Sequence, residues 1–212
     1  MDVEKLKIEP KDVLIYHITN VYNLPKILES GCLFADSKMS KLKTNIIGHA
    51  HIKERRLNKI KIDCCGGKLV GEFVPFYFCN RSPMLFSINK GNTGMTAGSQ
   101  DIIVHLVSRL SVAMNTGSDW CISTSNAGAY NANFGKLEAL YNINWDMVHA
   151  MQWQYQSGAK SAEFLVADKF PWTGFHLIGC FDQRIVDHCI KVFEEYKIQH
   201  KPEIRVERSW YY

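Results

Sequence analysis

The sequence Ser161-Ala162-Glu163-Phe164-Leu165-Val166 places a carboxylate at the start of a short apolar strand. The aromatic, aliphatic and β-branched side chains of residues 164–166 favour a strand, and Phe170-Pro171-Trp172 ends it. A charge next to such a strand is costly unless a site uses it. Glu163 is therefore predicted to be a catalytic residue, and the alternative interpretation is a solvated glutamate at a strand end.

Short strands continue on both sides of this segment, and they do not alternate regularly with helices. The pattern predicts an α+β fold with mixed or antiparallel sheets rather than a doubly wound sheet. Strands are predicted over residues 13–18, 73–78, 102–107, 120–123, 162–166, 176–181 and 204–212. Helices are predicted between Asn20 and Gly31, in two pieces over residues 136–153 with Asn144 as a cap, and over residues 186–196.

The composition fits one globular domain over residues 1–212. The 212 residues are 46% hydrophobic, which is enough for a substantial core. No run of about eighteen apolar residues is present, and Met1-Asp2-Val3-Glu4-Lys5 lacks the order of a signal peptide. We therefore expect a cytoplasmic protein that does not enter a membrane.

The cysteine pattern argues against a metal centre. Seven cysteines occur without any C-x-x-C spacing, which disfavours both a disulfide framework and a zinc site. His49 and His51 are a weak alternative pair of ligands because no supporting carboxylates accompany them. No metal is predicted, and most cysteines are expected to be small buried side chains.

Positive charge is concentrated in one segment. Residues 38–61 carry eight basic residues and one acid, a local charge of +7 within a net charge of +4. Such a block attracts polyanions, although a solvated helix face is an equally good explanation of the charge alone. Arg55-Arg56 is the more specific signal, because the planar guanidinium matches phosphate.

The sequence lacks the common nucleotide-binding and hydrolase motifs. There is no G-x-G-x-x-G after a strand, no Walker loop and no G-x-S-x-G. These absences disfavour a Rossmann domain, a P-loop site and an α/β-hydrolase.

Six blocks of the sequence, in order, closely resemble the DarT family of bacterial DNA ADP-ribosyltransferase toxins, and the resemblance runs nearly from end to end. The blocks are Ile15-Tyr16-His17-Ile18-Thr19, His51-Ile52-Lys53-Glu54-Arg55-Arg56, Val74-Pro75-Phe76-Tyr77-Phe78, Arg81-Ser82-Pro83-Met84-Leu85, Ala162-Glu163-Phe164-Leu165-Val166 and Trp210-Tyr211-Tyr212.

The resemblance implies an ADP-ribosyltransferase fold, with a split β-sandwich core and peripheral helices. It also implies a glycosyltransferase that uses NAD as co-substrate, single-stranded DNA as acceptor and no metal. The implied biological role is that of the toxin in a toxin–antitoxin system, which blocks replication and is paired with the macrodomain antitoxin DarG. We expect the chain to be a monomer.

The resemblance assigns two residues to catalysis and several to NAD. Glu163 would face the sugar carbon that becomes cationic as nicotinamide leaves, and Arg56 would hold the phosphates. Whether Glu163 also acts as a base is open. By analogy, NAD would contact a further set of residues: His17, Ile18, Thr19, Lys26 and Phe34. A hydrogen-bonded core histidine is the alternative for His17.

The resemblance also implies DNA contacts, which are expected from Tyr77, Arg81, Met84, Asn126 and Lys160. Asn126 replaces a histidine found in many members, and Lys160 is the one cation in a loop that is usually more basic. These departures bear on the choice of base, for which thymidine is the first candidate and guanosine stays open.

Two other functions remain alternatives. The same transfer chemistry could act on RNA or protein. A non-enzymatic module that binds single-stranded nucleic acid is the second, because basic and aromatic segments also serve that purpose.

Overall fold

The computed structural model describes residues 9–39, 45 and 47–212. Lys41 and Lys43 of the basic segment, and the N-terminal residues 1–8, lie outside the described residues.

The described chain contains twelve strands, of which eight form one sheet. The strands are β1 (Leu14–Asn20), β2 (Cys32–Phe34), β3 (Lys61–Ile62), β4 (Lys68–Leu69), β5 (Phe73–Tyr77), β6 (Ile103–Arg109), β7 (Trp120–Ser123), β8 (Phe134–Gly135), β9 (Glu163–Ala167), β10 (Lys169–Pro171), β11 (Leu177–Cys180) and β12 (Glu203–Val206). The large sheet has the order β12-β11-β6-β1-β5-β9-β7-β8, and two small sheets pair β10 with β2 and β3 with β4.

The large sheet divides between β1 and β5. Seven residues of β1 pair with β6, whereas in the described chain β1 meets β5 at one pair, Tyr16 and Tyr77. Continuing that register would bring Pro75 opposite Ile18, and a proline has no N–H to donate to a neighbouring strand. The β1 and β5 strands therefore part at this point. The predicted α+β class with a split, mostly antiparallel sheet is confirmed, with β11 and β12 as the parallel pair.

Eight α-helices lie around the sheet in the described residues. They are α1 (Leu24–Ser30), α2 (Asp36–Met39), α3 (Ala50–Asn58), α4 (Pro83–Asn89), α5 (Leu110–Met114), α6 (Trp145–His149), α7 (Ser157–Lys160) and α8 (Gln183–Glu195). Among them, no helix combines the length and apolar character needed to cross a bilayer.

The helix ends follow the local sequence. Asn144 accepts a hydrogen bond from the Met147 N–H at 3.1 Å and caps α6 as predicted. Gly31 ends α1 in the left-handed region with φ of 67°, where a side chain would be strained. Asn20 differs from the prediction in detail, because it caps a 3-10 turn, Val21–Asn23, that precedes α1.

The core strands are buried along their whole length. Every residue of β9 and β11 is buried, as expected for continuous apolar segments covered on both faces. Phe76 of β5 packs edge-on against Phe170 with ring centroids 5.0 Å apart. The predicted β9 strand is confirmed with Glu163 as its first residue.

The C-terminal strand is shorter than predicted. Alternating residues predicted a strand over 204–212, but β12 ends at Val206 and a 3-10 turn, Arg208–Trp210, follows. Tertiary packing overrides the alternation, because the Trp210 indole lies against Gly179, where a side chain would leave no room. Tyr211 is then buried, and its hydroxyl donates to the Ile103 carbonyl at 2.8 Å.

His105 makes the stability of this core depend on pH. Its ring is fully buried in β6, and Nε2 donates to the Asn80 carbonyl at 2.8 Å. Burial lowers the pKa of His105 from 6.5 to about 4. As the pH falls from 6.5 towards 4, the unfolded chain binds a proton that the folded chain excludes. The free energy of unfolding should fall by up to about 3 kcal/mol over that window and then level off.

Urea unfolding between pH 4 and 7.5 checks this expectation. His105→Gln should reduce the slope in that window without abolishing it, because burial lowers the pKa of His17 as well, whereas His51→Gln, at an exposed position, should keep the full slope. Equal slopes in the His105→Gln variant and the unmodified chain would contradict the assignment.

Candidate functional site

A pocket opens where β1 and β5 part. Its walls come from β1, α1, β2, α2, α3, β5 and the start of β9. Ten of the twelve site residues predicted from the sequence line it: His17, Ile18, Thr19, Lys26, Phe34, Arg56, Tyr77, Met84, Asn126 and Glu163.

A buried ion pair forms one wall of this pocket. Arg56 Nη1 donates to both carboxylate oxygens of Glu163, at 3.1 Å to Oε1 and 2.9 Å to Oε2. Glu163 is 2% exposed and Arg56 is 8% exposed, so each charge depends on the other for compensation. The backbone N–H of Ala127 donates to Oε1 at 3.0 Å and fixes the carboxylate further.

The 126–128 loop reaches the carboxylate because Gly128 lies against α3. A Cβ on Gly128 would lie 2.8 Å from Cγ2 of Ile52 and 3.0 Å from Oδ1 of Asn126. A larger residue would push the loop away from α3, and with it the Ala127 N–H.

Arg56 retains hydrogen-bonding capacity towards a ligand. Burial lowers the pKa of its guanidinium, but the charge and hydrogen bonds of Glu163 outweigh burial, and the net pKa of Arg56 is raised. The side chain is therefore always cationic. Its Nη2 is buried and has no hydrogen-bond partner among the described residues. A buried N–H of this kind is costly unless an acceptor reaches it.

His17 closes the gap between the parted strands. Its Nδ1 lies 2.8 Å from the Pro75 carbonyl, which can only accept, so Nδ1 carries the proton. Burial lowers the pKa of His17 and keeps the ring neutral. The pocket therefore has a neutral imidazole in its wall, with Nε2 as an acceptor.

Tyr77 lies next to the carboxylate. The two residues are register partners across β5 and β9. Burial first, and the Glu163 charge second, raise the pKa of the Tyr77 hydroxyl well above its usual value. Tyr77 is therefore a neutral phenol at physiological pH.

Asn126 lies at the junction between this pocket and a second depression. Its Oδ1 accepts from the Gly128 N–H at 2.7 Å, which leaves the amide N–H groups as the available donors. The second depression is lined by Pro83, Phe86, Ser87, Asn92, Asn126, Trp153, Gln154, Ser157, Gly158 and Ser161.

Two predicted residues lie outside the pocket. Arg81 stacks over the Tyr212 ring, with its guanidinium carbon 4.4 Å from the ring centroid. Lys160 is 2% exposed, and its ammonium donates to the carbonyls of Val148 and Ala150, each at 2.8 Å. These contacts join α7 to the C-terminal end of α6, and the DNA contact of Lys160 stays a prediction.

Sequence reasoning missed other residues of the pocket. Asn23 donates to Thr19 Oγ1 at 3.1 Å and to the Asn45 carbonyl at 3.0 Å, and so connects β1 to the segment before α3. Lys53 also lines the pocket, and its ammonium pairs with Asp36 at 2.9 Å. Neither contact has a signal in the local sequence, because the partners come from different elements.

The arrangement suits stabilisation of a positive centre. A fixed carboxylate lies at the pocket wall, and a permanent cation lies beside it with one unused donor edge. Such a pair can face a substrate that is anionic at one end and becomes cationic at another.

The chain is similar to known proteins over nearly its whole length. The family model described as "ssDNA thymidine ADP-ribosyltransferase, DarT" matches residues 16–212. A DNA ADP-ribosyl transferase of Thermus sp. (strain 2.9) is 35% identical over 207 residues, which cover 96% of this chain and 98% of the relative.

Two solved structures are similar over nearly the whole chain. Thermus sp. 2.9 DarT in complex with ADP-ribosylated ssDNA has a TM-score of 0.90 at 34% identity, over 97% of this chain and 99% of that chain. The same protein in complex with NAD+ has a TM-score of 0.86 at 31% identity, over 97% and 100%.

Removing one member of the ion pair should destabilise the fold. Glu163→Leu leaves the Arg56 charge buried without compensation, and the free energy of unfolding should fall by about 3–5 kcal/mol. Replacing both residues, as Arg56→Met with Glu163→Leu, should recover most of that loss. Urea denaturation of the two single variants and the double variant measures the coupling energy.

Asp101→Asn is the matched control, because it breaks an exposed ion pair with Arg184 and should change stability by less than about 1 kcal/mol. Additive effects of the two single replacements, without coupling, would contradict a dependence of each charge on the other.

Proposed function

The chain belongs to the DarT family of single-stranded DNA thymidine ADP-ribosyltransferases, and from that premise we propose how its residues perform the reaction. It is an NAD-dependent DNA ADP-ribosyltransferase, with NAD as co-substrate. It transfers ADP-ribose to a base in single-stranded DNA, for which we propose thymidine, and it releases nicotinamide. The assignment of roles to these residues rests on one observation, the buried Glu163–Arg56 ion pair in the pocket wall.

We assign Glu163 to the sugar. When the bond between the ribose carbon and the nicotinamide nitrogen breaks, nicotinamide leaves with the bonding electrons and positive charge develops on the ribose. A carboxylate held by Arg56 and the Ala127 N–H needs no reorganisation to face that charge. The base nitrogen then bonds to the sugar carbon and loses its proton, which Glu163 is positioned to accept.

We assign Arg56 to the pyrophosphate. Nη1 is used by Glu163, while Nη2 is buried and lacks a partner among the described residues. A phosphate oxygen is the acceptor that suits a guanidinium edge. Lysine at this position has no fork and could not hold the carboxylate and the phosphate at once.

We assign the β1 segment to nicotinamide and its ribose. In the described chain, β1 and β5 pair at Tyr16 and separate beyond it, and Ile18 and Thr19 line the pocket there, where we place the carboxamide. The neutral His17 ring lies beside them with Nε2 as an acceptor. Lys26 and Phe34, in the opposite walls, would contact the remainder of the ligand.

We assign the acceptor strand to the second depression, which meets the NAD pocket at Asn126. Tyr77 and Met84 lie in the pocket wall, where an aromatic face and a thioether can pack on an unpaired base. Arg81 would meet phosphate at the rim. For Lys160 we favour a role in holding α7 against α6, since both of its acceptors lie at the C-terminal end of α6.

We further propose the biological setting. The chain would act as a monomer, as a single domain over residues 1–212 and in the cytoplasm, where NAD and DNA are present. DNA that carries ADP-ribose blocks replication, so we propose that the chain is the toxin of a pair neutralised by a macrodomain antitoxin of the DarG type.

Incubation with NAD and single-stranded oligonucleotides tests the reaction and the base together. Oligonucleotides that contain thymidine should gain the mass of one ADP-ribose, and those that lack it should not. Glu163→Gln removes the charge but keeps the shape, and it should slow the transfer by about 10²–10³-fold. Glu195→Gln, at an exposed position of α8, should leave the rate unchanged.

Three other outcomes would each replace part of this proposal. Modification of guanosine alone would show that the acceptor base is guanosine and not thymidine. Preferential modification of RNA or protein, when both compete with DNA in one reaction, would show that DNA is not the acceptor. DNA binding that consumes no NAD and is indifferent to Glu163→Gln would indicate a binding module.

Asn126 is expected to read the base. Its amide N–H groups can donate to a thymine carbonyl, and Asn126→Asp replaces those donors by acceptors. We expect kcat/KM on a thymidine oligonucleotide to fall at least about 10-fold, with NAD hydrolysis in the absence of DNA unchanged. Asn142→Asp, at an exposed position, is the matched control. An equal loss of hydrolysis would assign Asn126 to the NAD pocket instead.

A further inference from the structure

Three cysteines that come from two separate segments of the chain lie close together in the fold. The Sγ atoms of Cys64, Cys65 and Cys121 all lie within 4.8 Å of one another. Cys65 is 4% exposed and Cys121 is fully buried, whereas Cys64 is half-buried and gives solvent access to the group. This is the trithiol cluster.

The trithiol cluster connects the two chain segments that supply the ion pair. Cys64 and Cys65 lie in a 3-10 turn that follows α3, the helix of Arg56, after the short β3 strand. Cys121 lies in β7, which pairs with β9, and its register partner is Leu165, two residues beyond Glu163. A bond across the cluster would therefore join both supports of the catalytic pair.

The spacing of the thiols fits a metal ion. Four ligands at a Zn–S distance of about 2.3 Å are separated from each other by about 3.8 Å in a tetrahedron. Sulfur atoms within 4.8 Å therefore need to move by at most about 1 Å to share one ion. Thiolate sulfur selects soft or borderline ions such as Zn²⁺ and Cu⁺.

The charge around the cluster favours the divalent ion. Three thiolates around Zn²⁺ carry one net negative charge, and around Cu⁺ they carry two. Lys136 supplies one positive charge, with Nζ 3.5 Å from Cys65 Sγ. The same ammonium is anchored by Asp119 Oδ1 and the Trp120 carbonyl, each at 2.6 Å, so its position is fixed. Because the Asp119 carboxylate offsets the Lys136 charge, the smaller net charge of the Zn²⁺ site is what favours the divalent ion.

We propose that Cys64, Cys65 and Cys121 form a binding site for one Zn²⁺ ion, with a water molecule completing the tetrahedron on the side of Cys64. Three thiol protons leave to solvent as three Zn–S bonds form, and no oxidation occurs. The bound ion clamps the turn after α3 to β7, and so holds the Arg56 and Glu163 supports together. This role is structural, and it is independent of which base the enzyme modifies.

The three thiol protons make the affinity of the site for metal depend on pH. Burial raises the pKa of the Cys65 thiol to about 11, against the opposing charge of Lys136, and burial also raises the pKa of the Cys121 thiol. Metal binding must displace these protons, so affinity should increase as the pH rises from 6 to 8.

Titration of the reduced, full-length protein with Cd²⁺ tests the site, because Cd²⁺ replaces Zn²⁺ and its thiolate bonds absorb in the ultraviolet. We expect one ion per chain, an absorbance corresponding to three thiolates, displacement of Cd²⁺ by Zn²⁺ and an increase in melting temperature with either ion. Cys64→Ser, Cys65→Ser and Cys121→Ser should each reduce the absorbance to that of two thiolates and weaken binding at least tenfold.

Cys32→Ser is the matched control, because Cys32 lies in β2 away from the cluster, and it should bind Cd²⁺ normally. Cys64→Ser is the decisive variant, since its partial exposure makes loss of the fold least expected. No thiolate absorbance, or full absorbance in Cys64→Ser, would overturn the site and leave the cysteines as apolar packing.

Discussion

The interrupted pairing of β1 with β5 is the constraint on which the rest of the structure depends. Pro75 cannot donate a ladder hydrogen bond, and its carbonyl accepts from the His17 ring instead. The two halves of the sheet therefore separate within its interior rather than at an edge. The gap exposes strand backbone and a neutral imidazole to a ligand, while β6 and β9 on either side keep both halves rigid.

A second constraint is the energy of buried charge. A carboxylate that is 2% exposed is stable when a cation and a backbone donor compensate it, and Arg56 and Ala127 do so from α3 and the loop after β7. The contacts that we propose to preorganise the carboxylate for catalysis therefore also stabilise the fold. The supports of these residues meet again at the trithiol cluster, so this region couples site geometry to local stability.

Local sequence patterns predicted most of the secondary structure. Continuous apolar segments became the buried strands β9 and β11, and the Asn144 and Gly31 signals marked helix ends as expected. The prediction was wrong where a distant partner decided the conformation. At the C-terminus, alternation continued to Tyr212, but packing of Trp210 on Gly179 ended β12 at Val206.

The sequence by itself determined the α+β class and the family, and it selected Glu163 and Arg56 as candidates, because these depend on local order and on motifs that can be recognised without their neighbours in the fold. Tertiary structure alone decided which atoms meet. Arg56 and Glu163 are 107 residues apart, and the three cysteines follow no ligand spacing, yet each group converges in the fold. It also decided that the buried Lys160 ammonium donates to carbonyls at the C-terminal end of α6. Side-chain direction and burial depend on long-range packing, which residue order does not encode locally.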